Sequence, residues 1–433
     1  MLRREFIKLG LTFSLFPKIE TANTFRVIYY WNLHSPPHGL DGAVKIINAL
    51  DPDMIWYAHW MTGFPMPKDL EQAYEIAKSC GIDGEEFKKW CEKEAYTLQH
   101  VKQQVKAVGD RIYCPCILGY SNFRIDFNFD PITFECYDQD KINSMLLDLG
   151  KWEIINPKTR KPYTLYETQK IFWEMGLPEH NGIFDTSSKS LIDYQIKKAK
   201  ALKGVGVRAV WYDMFFQLPL RLKDLLNLDY SHQMIMDLYN GCCDIIDQTK
   251  ALGMIVGTWT QCLRFPYERV PKVDFVTASP DINEILSLKP NYAKWENIAN
   301  TIKEKRPEAS LLIIFDFANR DDMPLAVFSQ KLAQQQQRQF LIELHKLAEH
   351  LRQTGINTSI AYPIHGPGLG RNPKKLAWGK YKYYDALAPE FNTYETVENL
   401  MSGKPVVTPQ TPFISVVTLL AILIALAFKK RHS

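Results

Sequence analysis

The chain has 433 residues, 46% of them hydrophobic and 23% charged, with a formal net charge of +4. That is globular composition, and it excludes wholesale disorder, a collagen-like repeat and a polytopic membrane protein. The basic excess lies at the two ends, with +2 on residues 1–22 and +3 on residues 429–433, so the near-neutral body offers no basic face for a nucleic-acid partner.

At the N-terminus, Arg3 and Arg4, then Phe6 and Lys8, precede a short apolar run over 9–16. This pattern resembles a twin-arginine export signal. The resemblance implies export of a largely folded chain, with cleavage near Ala22. Residues 1–22 are therefore read as the signal.

Eight short runs rich in β-branched and aromatic residues follow, at 25–32, 53–60, 111–120, 207–216, 253–261, 273–279, 310–318 and 357–366. Most do not alternate strictly, which suits strands buried on both faces of a parallel sheet. Longer amphipathic stretches separate them, and several end in Gly just before the next strand, the signature of an αβ loop. Eight strands with intervening helices predict a (β/α)8 barrel over 23–403. No GxGxxG follows any strand, which removes the dinucleotide-binding version of an open sheet. Residues 121–185 form a long insertion after strand three, expected to be a subdomain or lid over the barrel mouth.

The eight cysteines include no CxxC pair, so a zinc ribbon has no support. Cys114 and Cys116 share one predicted strand and are expected to be buried free thiols. Beyond the body, 404–411 is rich in Pro and Thr and reads as a stalk. Residues 412–428 carry no charge and are followed by Lys429, Lys430 and Arg431. Seventeen residues is the lower limit for a spanning helix, and the basic tail at 429–433 would stay in the cytoplasm. The body would then face outward, in agreement with the export signal.

In a barrel, chemistry sits at the C-terminal ends of the strands. The polar and aromatic residues predicted there are Trp31, His34, His59, Trp60, Tyr120, Asp213, Trp259, Gln261, Asp281, Glu284, Asp316, Tyr362 and His365. Indole faces stack on the C–H faces of sugar rings, while amide, imidazole and carboxylate groups take hydroxyls. Trp31, His34, His59, Trp60, Tyr120, Trp259, Gln261, Tyr362 and His365 are therefore candidate carbohydrate contacts. Glycoside hydrolysis needs two carboxyl groups across one bond, and Asp213, Asp281, Glu284 and Asp316 are the candidates. This chemistry calls for no cofactor.

The stretch from Asp185 to Phe216 places an Asp-containing loop before a helix, then Gly, then a strand ending in hydrophobic-Asp-hydrophobic. It resembles a segment of barrel glycoside hydrolases of the α-galactosidase-like and amylase-like superfamilies. The resemblance implies that Asp213 is the nucleophile, and that an Asp at the end of strand six, here Asp281 with Glu284 one turn on, is the acid/base. Asp185 matches the loop residue before the helix, where an N-cap role suffices.

Two other readings remain open. A barrel that binds glycan without cleaving it would carry the same aromatics. The segment His34-Ser-Pro-Pro-His38 resembles the His-Ser-x-x-His spacing of metal-dependent polysaccharide deacetylases, although the Asp-Asp pair expected on the preceding strand is absent.

Overall fold

The computed structural model describes residues 25–61, 98–118, 130, 133, 137–174, 182–317 and 320–404. The export signal, the apolar segment 412–428 and the basic tail lie outside them. Among the described residues no helix is long and apolar enough to cross a membrane.

The strands are β1 (Val27–Tyr30), β2 (Met54–Met61), β3 (Ile112–Leu118), β4 (Ala209–Asp213), β5 (Ile255–Trp259), β6 (Phe275–Ala278), β7 (Ser310–Ile313) and β8 (Thr358–Gly366). Each pairs in parallel with the next, and β8 pairs in parallel with β1, closing the barrel. All eight fall inside the runs predicted from sequence, or within one residue of them. A two-residue strand, β9 (Tyr384–Asp385), adds to β8 antiparallel with His365 opposite Asp385.

The helices are α1 (Gly39–Leu50), α2 (Leu98–Val108), α3 (Gln139–Asn143), α4 (Leu165–Glu174), α5 (Lys189–Gly204), α6 (Gln217–Leu225) and α7 (Gln233–Ala251). They continue with α8 (Ile282–Ser287), α9 (Tyr292–Lys305), α10 (Pro324–Lys331), α11 (Gln334–Gln353) and α12 (Tyr394–Met401). Gly253 and Gly355, each between a helix and a strand, have φ of +77° and +89°. That backbone favours Gly and turns the chain sharply back onto the sheet.

Strand parity sorts the core. On β4, Val210 and Tyr212 alternate with Trp211 and Asp213, and the Tyr212 hydroxyl meets Thr249 of α7 at 2.7 Å. Trp211 faces the opposite way, into the barrel, and its indole N–H donates to Thr277 Oγ1 of β6 at 3.1 Å. The Phe275 ring fills the space where Gly257 has no side chain. Burying one such aromatic contributes about 2–3 kcal/mol relative to exposure.

The insertion supplies α3, α4 and a 3₁₀ turn at Leu149–Trp152. It is tied down where Trp152 Nε1 donates to Asp237 of α7 at 2.8 Å and Lys151 pairs with buried Asp185 at 2.8 Å. The N-cap of α5 is Ser188, not Asp185. Asp185 instead accepts from the Ser187 backbone N–H at 2.9 Å and bonds Lys151. Cys114 and Cys116 are buried free thiols, as expected.

Candidate active site

Asp213 closes β4 and Asp316 lies three residues beyond β7. Asp213 Oδ1 accepts the indole N–H of Trp259 at 2.6 Å. Burial pushes the Asp213 carboxyl up to about 6, against the pull of the Trp259 and Met214 N–H groups. Met214, the next residue, has φ of +66°. A non-glycine residue in that region is strained, and such strain gathers at functional positions.

Asp316 Oδ1 accepts the Phe317 backbone N–H at 2.8 Å, and the Asp316 N–H donates to Ser279 Oγ at 3.0 Å. Burial pushes the Asp316 carboxyl up to about 7, and the charge of Asp213 adds to the rise. The charge of Asp213 thus reaches the Asp316 carboxyl. Two like groups sharing one poorly solvated space favour a state with one proton between them.

Aromatic rings run continuously beside the pair. Trp259 meets Trp211 edge-on at 5.4 Å between centroids, and Trp211 meets Trp56 at 5.0 Å. Tyr57 packs edge-on against Phe317 at 4.4 Å, and Phe317 stacks on Tyr29 at 5.3 Å. Phe317 directly follows Asp316, so the belt touches both carboxylate-bearing strand ends. Among the described residues, Tyr29 Oη, Trp31 Nε1, Trp56 Nε1, Gln261 Oε1 and His365 Nε2 are buried without a hydrogen-bond partner. Most buried polar atoms in proteins are paired.

The remaining sequence candidates separate. Gln261 sits in the 3₁₀ turn after β5. Trp31 is half-buried, 5.6 Å from the ring of Tyr383. His34 is exposed at the surface; its ring lies 5.3 Å from His100, and partial loss of hydration at the imidazole together with the charge of His100 holds its pKa down. The side chains of His59 and Trp60, and all of Tyr120, lie outside the described residues.

Tyr362 faces away from the barrel interior. Its hydroxyl bonds His345 Nδ1 of α11 at 2.6 Å. Asp281 caps α8 in a capping box with Glu284 and is 65% exposed, paired with Lys294 at 3.0 Å. Glu284 is buried and accepts four donors: the Asp281 and Asn291 backbone N–H groups, Lys294 Nζ and Trp295 Nε1, at 2.6–2.7 Å. Burial alone would raise its pKa, but these donors hold it below the usual range.

Sequence reasoning missed Phe317 beside Asp316 and the buried Tyr29, Trp56 and Tyr57 packed around it. It also missed Asp385. His38 Nε2 bonds Asp385 Oδ2 at 2.6 Å, and His365 Nδ1 bonds the same oxygen at 2.9 Å. Among the described residues these three form the one group of His, Cys, Asp or Glu side chains able to converge on a metal ion, and His34 is not part of it. The spacing His34 to His38 thus does not create the metal site that it suggested.

No protein-family model matches this chain, and no curated protein matches it. Solved structures similar to it include Eubacterium rectale Amy13B, at 12% identity and a TM-score of 0.44, over 88% of this chain and 78% of that one. A variant of the trehalulose synthase MUTB matches at 10% identity and a TM-score of 0.43, over 87% and 83%. A Nostoc punctiforme debranching enzyme matches at 12% identity and a TM-score of 0.43, over 84% and 69%. The barrel itself is established by the strand pairing.

Proposed function

We propose that this protein is a glycoside hydrolase in which Asp213 and Asp316 are the two catalytic carboxyls. The observation that carries the reading is the pair itself. Two carboxyls at the ends of β4 and β7 have pKa values of about 6 and about 7, beside a continuous aromatic wall. Groups poised on either side of the working pH make an acid and a base available together.

Asp213, whose anionic form the Trp259 and Met214 N–H groups favour, takes the anionic role: it attacks the anomeric carbon, activates water, or stabilises the oxocarbenium-like state. Trp259 fixes one of its oxygens, Oδ1, and so orients the carboxylate. Asp316 retains its proton longer and donates it to the leaving oxygen. Glu284 is unsuited to that task, because four donors favour its ionised form. Asp281 is largely exposed and paired with Lys294, which likewise favours ionisation. Trp259 and Phe317, the least buried rings beside the two carboxyls, are the faces offered to sugar C–H groups, and the fully buried Tyr29, Trp56, Tyr57 and Trp211 pack beneath them.

The tether is part of the same proposal. The arginine pair at the N-terminus, the apolar segment 412–428 and the basic tail support a body facing outward from a membrane. Its partners would be an extracytoplasmic carbohydrate and the membrane itself.

The leaving group tests the acid assignment. Asp316→Asn should lose turnover on an alkyl glycoside or an oligosaccharide. It should keep most turnover on a dinitrophenyl glycoside, whose leaving group needs no proton. Equal loss on both substrates would remove Asp316 from the acid role.

A further inference from the structure

We propose that His38, His365 and Asp385 form a binding site for one divalent transition-metal ion of the zinc class, at the C-terminal end of β8. The donor atoms are His38 Nε2, His365 Nδ1 and Asp385 Oδ2. All three lie within 4.8 Å of one another. They come from three separate segments: the loop before α1, the end of β8, and β9.

Geometry and charge support the site. A tetrahedral zinc ion with bonds of about 2.0–2.1 Å sets its ligand atoms about 3.3 Å apart. The two shorter separations here are 2.6 and 2.9 Å, so they need open by about 0.7 and about 0.4 Å. The Asp385 side chain is 1% exposed, and its ion-pair partners among the described residues are these two histidines, with no Lys or Arg. A carboxylate buried without a fixed cation is costly, and a divalent ion would neutralise it. Two imidazoles and one carboxylate are a borderline donor set, suited to zinc and its first-row neighbours rather than to calcium or magnesium.

The fold prepares the site. The two-residue strand β9 places Asp385 directly opposite His365. The Leu387 N–H donates to the other oxygen, Oδ1, at 3.0 Å and orients the carboxylate. His38 is the side open to solvent, at 14% exposure, so water or a substrate hydroxyl can complete the coordination there. The ion would clip the barrel's first loop to its last strands, 347 residues apart.

This inference is independent of the hydrolase reading and has its own readout. The full-length chain, stripped of metal in detergent, is titrated with Zn²⁺ by calorimetry and with Co²⁺ by visible absorption. The expected result is one equivalent bound per chain, with intense d–d bands of low-coordinate cobalt. Asp385→Asn and His38→Gln should each weaken Zn²⁺ binding by about 10-fold or more while still unfolding cooperatively. His38→Gln lies at the more exposed position and guards against a folding failure of the buried variant. Unchanged affinity in both variants, no binding by the wild type, or a near-ultraviolet thiolate-to-cobalt band marking a cysteine site would overturn the proposal.

Discussion

The indole N–H of Trp259, at the end of β5, donates to Asp213 Oδ1, at the end of β4, at 2.6 Å. This bond is the only direct side-chain donor described on the Asp213 carboxylate, and it opposes the rise that burial imposes. Trp259→Phe keeps most of the ring and removes the donor. The Asp213 pKa should climb further, and the acid limb of the pH profile of kcat/KM should move to higher pH. A loss of about 10- to 100-fold at the optimum is expected, the scale for one hydrogen bond to a charged group. The profile of the variant beside the wild type checks both.

The two raised carboxyls also fix the shape of that profile. Asp213 must be ionised, which requires a pH above about 6, and Asp316 must be protonated, which requires a pH below about 7. A narrow bell centred between those values is expected. A plateau extending well above pH 8 would show that no acid of this pair is needed.

Asp316 also has a stability consequence. Its folded pKa, about 7, lies above its unfolded value, so the folded chain binds the proton more tightly. Ionising it costs stability, and the loss accrues as pH rises from the unfolded pKa to the folded one. Asp316→Asn should therefore be near neutral at about pH 4 and stabilising by up to about 4 kcal/mol above about pH 8. Urea unfolding at the two pH values measures the difference.

Glu284 should behave in the opposite manner. Glu284→Gln exchanges a fully bonded buried carboxylate for an amide and leaves Lys294 without its buried partner. A loss of about 2–3 kcal/mol is expected, with turnover per folded molecule unchanged. Reduced turnover in a fully folded variant would return Glu284 to the catalytic candidates.

Packing offers a prediction away from the mouth. A Cβ on Gly241 of α7 would lie 1.8 Å from the backbone oxygen of Thr186, which cannot swing aside as a side chain can. Gly241→Ala should cost about 3 kcal/mol or more by forcing the helix away from the segment that leads into α5. Thermal unfolding of the variant checks it.

Much of this was legible in the sequence because barrel strands are buried on both faces and so read as dense β-branched and aromatic runs. The Gly residues at 253 and 355 marked the returns, and Asp213 was visible as the polar residue ending such a run. Helix α1 is one of the amphipathic stretches between the runs, and its buried positions Ala43, Ile46, Ile47 and Leu50 follow helical spacing. Strand β9 is two residues long, too short for any periodicity, so Asp385 had no sequence signal at all. The box Asp281-Ile-Asn-Glu284 was readable as a helix N-terminus and pointed to a structural role. The partnership of Asp213 with Asp316 depends on barrel closure, which no local pattern encodes.

The central claim is that Asp213 carries turnover of a glycosidic bond. The most direct measurement is reducing-sugar release by the full-length chain from a panel of oligosaccharides and aryl glycosides, beside Asp213→Asn with its fold verified by thermal unfolding. The account predicts release by the wild type and a fall of about 1,000-fold or more in the variant, with sugar still bound. Equal turnover in the two, or binding without release by the wild type, would contradict it.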